Sequence, residues 1–118
     1  QVVYVDFWAS WCIPCKKSFP WMNEMHEKYK DQGLKIIAVN VDEDSADADE
    51  FLADTPAKFT ILRDPEGELA GQYELVGMPT SLLFDTEGKL VSRHVGFKKG
   101  EIESYEADFK KLLPKNVD

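Results

Sequence analysis

The sequence is poor in the residues that most often announce a function. Its 118 residues include only two cysteines and two histidines, too few for a structural zinc site unless every one of them converges. Both cysteines sit in one C-x-x-C, so no disulfide framework exists beyond that pair. Closing so short a loop removes little entropy from the unfolded chain, which makes stapling a poor reason for the pair. No apolar run reaches the roughly 18–20 residues that a membrane-spanning helix needs. Basic residues are outnumbered, 14 against 22 acidic, for a formal net charge of −8. No basic stripe offsets that charge, so the surface repels phosphate backbones and anionic lipid, and neither nucleic acid nor a membrane is an expected partner. No leader is visible before the first strand-like segment and the chain opens at Gln1. We expect a chain trimmed at its N-terminus, so the missing leader says nothing about location.

The remaining composition is that of one globular domain over residues 1–118, with 43% hydrophobic residues to fill a single core. There is no repeat, linker or low-complexity tract. Val2 to Trp8 (VVYVDFW) is a nearly continuous β-prone run, as suits a central strand buried on both faces. Residues 12–32 read as a helix, with Phe19, Met22, Met25 or His26, and Tyr29 at helical spacing and Gly33 as its stop. Leu34 to Val41 is a second buried strand, parallel to the first through a right-handed crossover. The acidic stretch 42–50 carries six acids. It reads as the solvated first turn of a short helix capped by Asp44 or Ser45, since the spacing of a calcium loop is absent.

Phe59 to Arg63 is a short strand, and Leu69 to Tyr73 a helical turn or two. Thr80 to Phe84 and Lys89 to Val95 form a hairpin around Asp85-Thr86-Glu87-Gly88, the second strand alternating like an edge. A last helix spans about 100–113, with Ile102, Tyr105, Phe109 and Leu112 as its apolar stripe and Pro114 as its stop. The order is βαβ then ββα: a mixed α/β sheet with helices on both faces.

Trp11-Cys12-Ile13-Pro14-Cys15 falls where the first strand ends and the helix begins. Unpaired N–H groups at a helix N-terminus carry partial positive charge and stabilise a thiolate. Cys12 would stand at the cap, exposed, and Cys15 one turn further in, buried. That asymmetry makes Cys12 the attacking sulfur and Cys15 the resolving one. Pro14 suits the first turn, where its missing N–H costs nothing. Neither Ile13 nor Pro14 can add charge to the thiolate, so we expect a less oxidising couple than one with histidine there. The reaction needs no cofactor and no metal.

Asp6 interrupts an apolar strand six residues before Cys12. Burial should raise its pKa and equip it to exchange a proton with the Cys15 thiol. A strand-end Asp that caps the next segment is the plainer alternative. Pro79 stands immediately before a strand, in Val76-Gly77-Met78-Pro79-Thr80. It is either a strand-entry proline with a trans bond, or a cis proline turning the Met78 backbone toward the sulfurs, where an extended partner segment could pair. Trp11, Pro14, Met78, Pro79 and Thr80 are thus the candidate substrate-binding residues.

These residues together resemble the thioredoxin superfamily. V-D-F-W-A-S-W-C-I-P-C-K looks like its active-site segment, Pro20 matches the proline inside its active-site helix, and G-M-P-T matches its cis-proline loop. F-W-A-S-W-C-I-P-C-K-K-S-F-P, A-V-N-V-D, the extra segment 44–58 and L-R-D-P-E-G are more similar to the TlpA/ResA-like branch of bacterial extracytoplasmic thioredoxins. The resemblance implies a thioredoxin fold and an exported, often tethered protein in the periplasm or at the envelope exterior. It also implies reduction of disulfides in a partner protein, in some members during cytochrome c maturation, with electrons from a donor that the sequence does not name. Two departures stand out. Ala38 occupies the position where cytoplasmic thioredoxins carry a lysine near the buried acid, and many members of the branch lack an acid where this chain has Asp6.

Zinc would need His26 and His94, which lie on a helix and a late strand, to meet both sulfurs. A redox-inactive binding or chaperone module of the same fold is the alternative function. With no long exposed apolar segment, a monomer is expected. Trp8 should pack in the core and Trp11 should be exposed beside Cys12, whereas Trp21 could face either way.

Overall fold

The computed structural model describes residues 1–75 and 77–113. Five strands form one sheet in the order β3-β2-β1-β4-β5. They are β1 (Val2–Trp8), β2 (Leu34–Asn40), β3 (Thr60–Arg63), β4 (Thr80–Phe84) and β5 (Leu90–Val95). The first three are mutually parallel, and β4 and β5 run antiparallel at the other side. The helices are α1 (Ile13–Tyr29), α2 (Ser45–Asp54), α3 (Glu68–Gln72) and α4 (Ile102–Leu112), with 3₁₀ turns at Lys30–Gln32 and Lys99–Glu101. The expected βαβ–ββα order and mixed sheet are therefore present. Pro114, read as the stop of the last helix, lies outside the described residues.

Alternation along the central strand sorts the core into two faces. Val2, Tyr4 and Trp8 point into the larger cluster, under α1, α2 and α4. Phe7 points into the smaller one, with Val39 and Leu82, under α3. Coverage is uneven: three helices against one short one. The larger face is dense in rings. Phe19 meets Trp8, Phe51 and Phe59 at centroid distances of 4.8, 5.0 and 5.3 Å. That side chain ties α1 to β1, to α2 and to the segment leading into β3, and such ring pairs add to simple area burial.

Trp21, undecided by periodicity, is buried against Tyr105 and Phe109 of α4 and against Phe97. Helix α1 is thus clamped between the sheet and α4, which is why its buried arc exceeds one stripe. It runs through Pro20 without ending, although that proline leaves the Lys16 carbonyl without an i+4 donor. Asp44 caps α2, its side chain accepting from Ala46 N–H. Gly33 ends the first helical region in a left-handed conformation (φ 102°), one that glycine adopts without strain.

Candidate active site

The site stands where β1 delivers the chain to α1. Cys12 is the N-cap of α1, with extended backbone angles, and its sulfur accepts from Cys15 N–H at 3.3 Å. Cys12 and Cys15 form a disulfide with their Cα atoms 5.3 Å apart. Pro14 falls in the first turn, which carries no acidic residue. No side-chain charge there opposes the positive end of the helix, and a thiolate at the cap is stabilised by the peptide dipoles. Ser18 Oγ donates to the Cys15 carbonyl, fastening the turn behind the second sulfur.

The cap position predicts an exposed Cys12 sulfur, yet Cys12 is only 5% exposed, against 0% for Cys15. With the disulfide closed, both sulfurs belong to residues of the larger core cluster. What the surface presents is its neighbours: Trp11 is 68% and Ile13 71% exposed, an apolar rim beside the disulfide. Pro14 is exposed as well.

Asp6 is buried, and its Oδ2 has no hydrogen-bond partner. By alternation it shares the face of Tyr4 and Trp8, the face on which α1 buries both sulfurs. Its register partners are Ala38 on β2 and Ser81 on β4. Burial pushes its carboxyl well above the usual carboxylate range, and among the described residues no cation offsets it. The alanine noted in the sequence therefore lies beside Asp6. Burial also pushes the Tyr4 phenol up, with the charge of Asp6 adding to it.

The second edge of the site is the segment before β4. Thr80 pairs with Phe7, so Pro79 and Met78 lie at the C-terminal end of β1, the end that feeds α1. The Met78–Pro79 peptide bond is cis. Pro79 is buried, and the half-buried Met78 packs against the cluster that contains both cysteines. Thr80 Oγ1 donates to Gly77 O at 2.7 Å, and Gly96 N–H donates to Pro79 O at 2.7 Å. The fold thus gathers Cys12, Cys15, Asp6 and the 77–80 segment at one end of the sheet. It holds the two histidines apart: His26 on α1, and His94 on β5 facing Asp108 at 3.8 Å.

Sequence reasoning missed the polar clasp that holds the turn before Cys12. Asp42, 6% exposed, accepts from Ser10 N–H and Ser10 Oγ, each at 2.9 Å, and from Asn40 Nδ2 at 2.8 Å. Asn40 Oδ1 in turn accepts from Asp42 N–H. The clasp anchors the turn that presents Trp11 and Cys12 to the end of β2. The partners are 32 residues apart, so no local pattern marks them. Beside α1, an open cavity of about 530 Å³ is lined by Lys17, Trp21, Phe97 and Ile102.

Comparison with known proteins follows this geometry. The protein-family model described as Redoxin matches residues 1–111. The thiol-disulfide oxidoreductase ResA of Bacillus thuringiensis subsp. konkukian is 37% identical over 113 residues, which are 95% of this chain and 64% of that protein. The chain thus spans just under two thirds of that curated relative's length. The crystal structure of a putative thiol:disulfide interchange protein DsbE from Chlorobium tepidum superposes with a TM-score of 0.93 at 49% identity, covering 95% of this chain and 79% of that one. An exposed lipoprotein thioredoxin from Streptococcus pneumoniae superposes with a TM-score of 0.81 at 30% identity, covering 95% and 85%.

Proposed function

This chain belongs to the Redoxin family, and on that premise we propose that it is a protein-disulfide oxidoreductase working as a reductant through Cys12 and Cys15. The observation that carries the reading is the pair itself: two sulfurs in one disulfide at a helix cap, with the Cys15 N–H aimed at the Cys12 sulfur. A structural staple closing so short a loop would gain little. The likeness to proteins named thiol-disulfide oxidoreductase and thiol:disulfide interchange protein supports it.

In the reduced protein, Cys12 as thiolate attacks one sulfur of a partner disulfide. A mixed disulfide forms, and the partner's other sulfur leaves as a thiolate and takes up a proton. Asp6 accepts the proton of the Cys15 thiol. Cys15 then attacks the Cys12 sulfur, closing the Cys12–Cys15 disulfide and releasing the partner's second thiolate. Two electrons pass from the dithiol to the partner, and a separate donor must restore them. Burial raises the Asp6 pKa, which makes its carboxylate a stronger base toward the thiol than a solvated one.

Trp11 and Pro14 form the apolar contact beside the sulfurs. The backbone of Met78, with Pro79 and Thr80, forms the edge along which an extended partner segment lies. The substrate is a disulfide-bearing protein. The place of work is outside the cytoplasm, in the cell envelope, where the likeness to an exposed lipoprotein thioredoxin points and where disulfides persist. Among the described residues no helix is long and apolar enough to cross a membrane.

The test is a redox titration followed by Trp11 emission, paired with insulin reduction. We expect one two-electron transition at about −270 mV or lower, and turnover that disappears in Cys12→Ser. Cys15→Ser should accumulate the mixed disulfide, visible by mass. A transition near about −120 mV would overturn the direction. No transition at all would leave a redox-inactive binding module as the function.

A further inference from the structure

β5 is an edge strand whose sequence shows only alternation, yet the segment that carries Pro79 is fastened to it at several points. Arg93 Nη1 donates to Tyr73 O at 2.7 Å and Nη2 to Glu74 O at 2.8 Å. Both carbonyls lie just past the end of α3, where terminal carbonyls lack helical partners. Glu74 is held in the left-handed region (φ 52°), which side-chain-bearing residues disfavour. A Cβ added to Gly77 would stand 3.1 Å from Val95 Cγ1, so this glycine lies directly against the strand. Beyond it, Gly96 N–H holds Pro79 O. Tyr73 and Glu74 are therefore anchored by a side-chain fork, and Pro79 by a backbone bond.

We propose that Arg93 is a positioning residue for protein-substrate recognition: its guanidinium fixes the chain entering the Met78–Pro79 segment, and so holds that backbone edge ready for an extended partner. The inference rests on the proposed function, in which this edge receives the partner. A planar fork can hold two adjacent carbonyls at once, whereas a lysine ammonium is a single point charge on a flexible stem. Releasing the fork lets the entering end of the segment move, while the cysteines, held from β1 and β2, keep their geometry. The loss falls on partners that use the backbone edge and spares small disulfides that need only a sulfur.

The experiment compares Arg93→Met and Arg93→Lys with the unsubstituted chain, each pre-reduced and freed of reductant. Oxidation is followed with insulin and, separately, with 5,5′-dithiobis(2-nitrobenzoate). For Arg93→Met the insulin rate constant should fall about fivefold, the scale of losing a charge-assisted hydrogen-bonding fork at an exposed site. The small-disulfide rate constant and the reduction potential should hold, and Arg93→Lys should recover part of the insulin rate. An unchanged insulin rate would overturn the inference. So would a parallel loss on both oxidants, which is the mark of general destabilisation. If the unsubstituted chain reacts with neither oxidant, the proposed function itself fails and takes the inference with it.

Discussion

Replacing Asp42 by alanine removes one acceptor from three donors at once. Two of them, the N–H and hydroxyl of Ser10, belong to a half-buried residue and can turn to water. The third, Asn40 Nδ2, cannot, because Asn40 is 1% exposed. Orphaning a buried amide and weakening two charge-assisted hydrogen bonds should together cost about 3 kcal/mol. For a chain of this length that lowers the melting temperature by about 10–15 °C. Asp42→Asn separates bonding from volume: it keeps the shape but turns an NH₂ group toward existing donors, and should cost about 2 kcal/mol. Ser10→Ala, which removes one bond, should cost about 1 kcal/mol. Urea unfolding at neutral pH measures all three, and a double-mutant cycle between Ser10 and Asp42 isolates their coupling. A loss below about 1 kcal/mol for Asp42→Ala would refute the claim that this clasp holds the turn.

Two further outcomes follow. Asp6 binds its proton more tightly folded than unfolded, so stability should fall as pH rises from the ordinary value of 3.8 toward the raised folded value, and stay reduced above it. Asp6→Asn removes that penalty, so the variant should gain stability over the unsubstituted chain as pH rises through that window, while its Cys15 exchange near neutral pH slows. Urea titrations at pH 3.5 and 8 together with a pH–rate profile check both, and a stability difference independent of pH would sink the argument. Phe19→Ala empties the centre of the ring cluster and should cost about 4 kcal/mol by the same unfolding assay. A loss under about 1.5 kcal/mol would mean that the neighbouring rings collapse into the space.

Where the pattern is local, the sequence is readable. The VVYVDFW run, the C-x-x-C at a strand–helix joint and the stripe of α4 each specify themselves within a few residues, because periodicity and capping act over that range. The start of β3 at Thr60 rather than Phe59 is a small shift of the same kind: Phe59 serves the ring cluster around Phe19 instead of the ladder. Asp42 and Arg93 escaped for the opposite reason. Each acts across the fold, on Ser10 and on Tyr73 and Glu74, and each sits in a stretch with a simpler explanation, an acidic turn and an alternating edge. The burial of Cys12 is likewise hidden, since it depends on neighbours brought in from across the larger core cluster.

The two tethers fasten the site to opposite halves of the sheet. The turn before Cys12 is tied through Asp42 to the end of β2, while Arg93 of β5 holds Tyr73 and Glu74, and Gly96 just past it holds Pro79. The two halves meet where β1 pairs antiparallel with β4, from Val3↔Phe84 to Phe7↔Thr80. On the proposed function, reactivity and partner choice are thereby supported from the two sides of this seam. Substitutions at Asp42 and at Arg93, which share no hydrogen-bond partner, should therefore combine additively in their effects on stability.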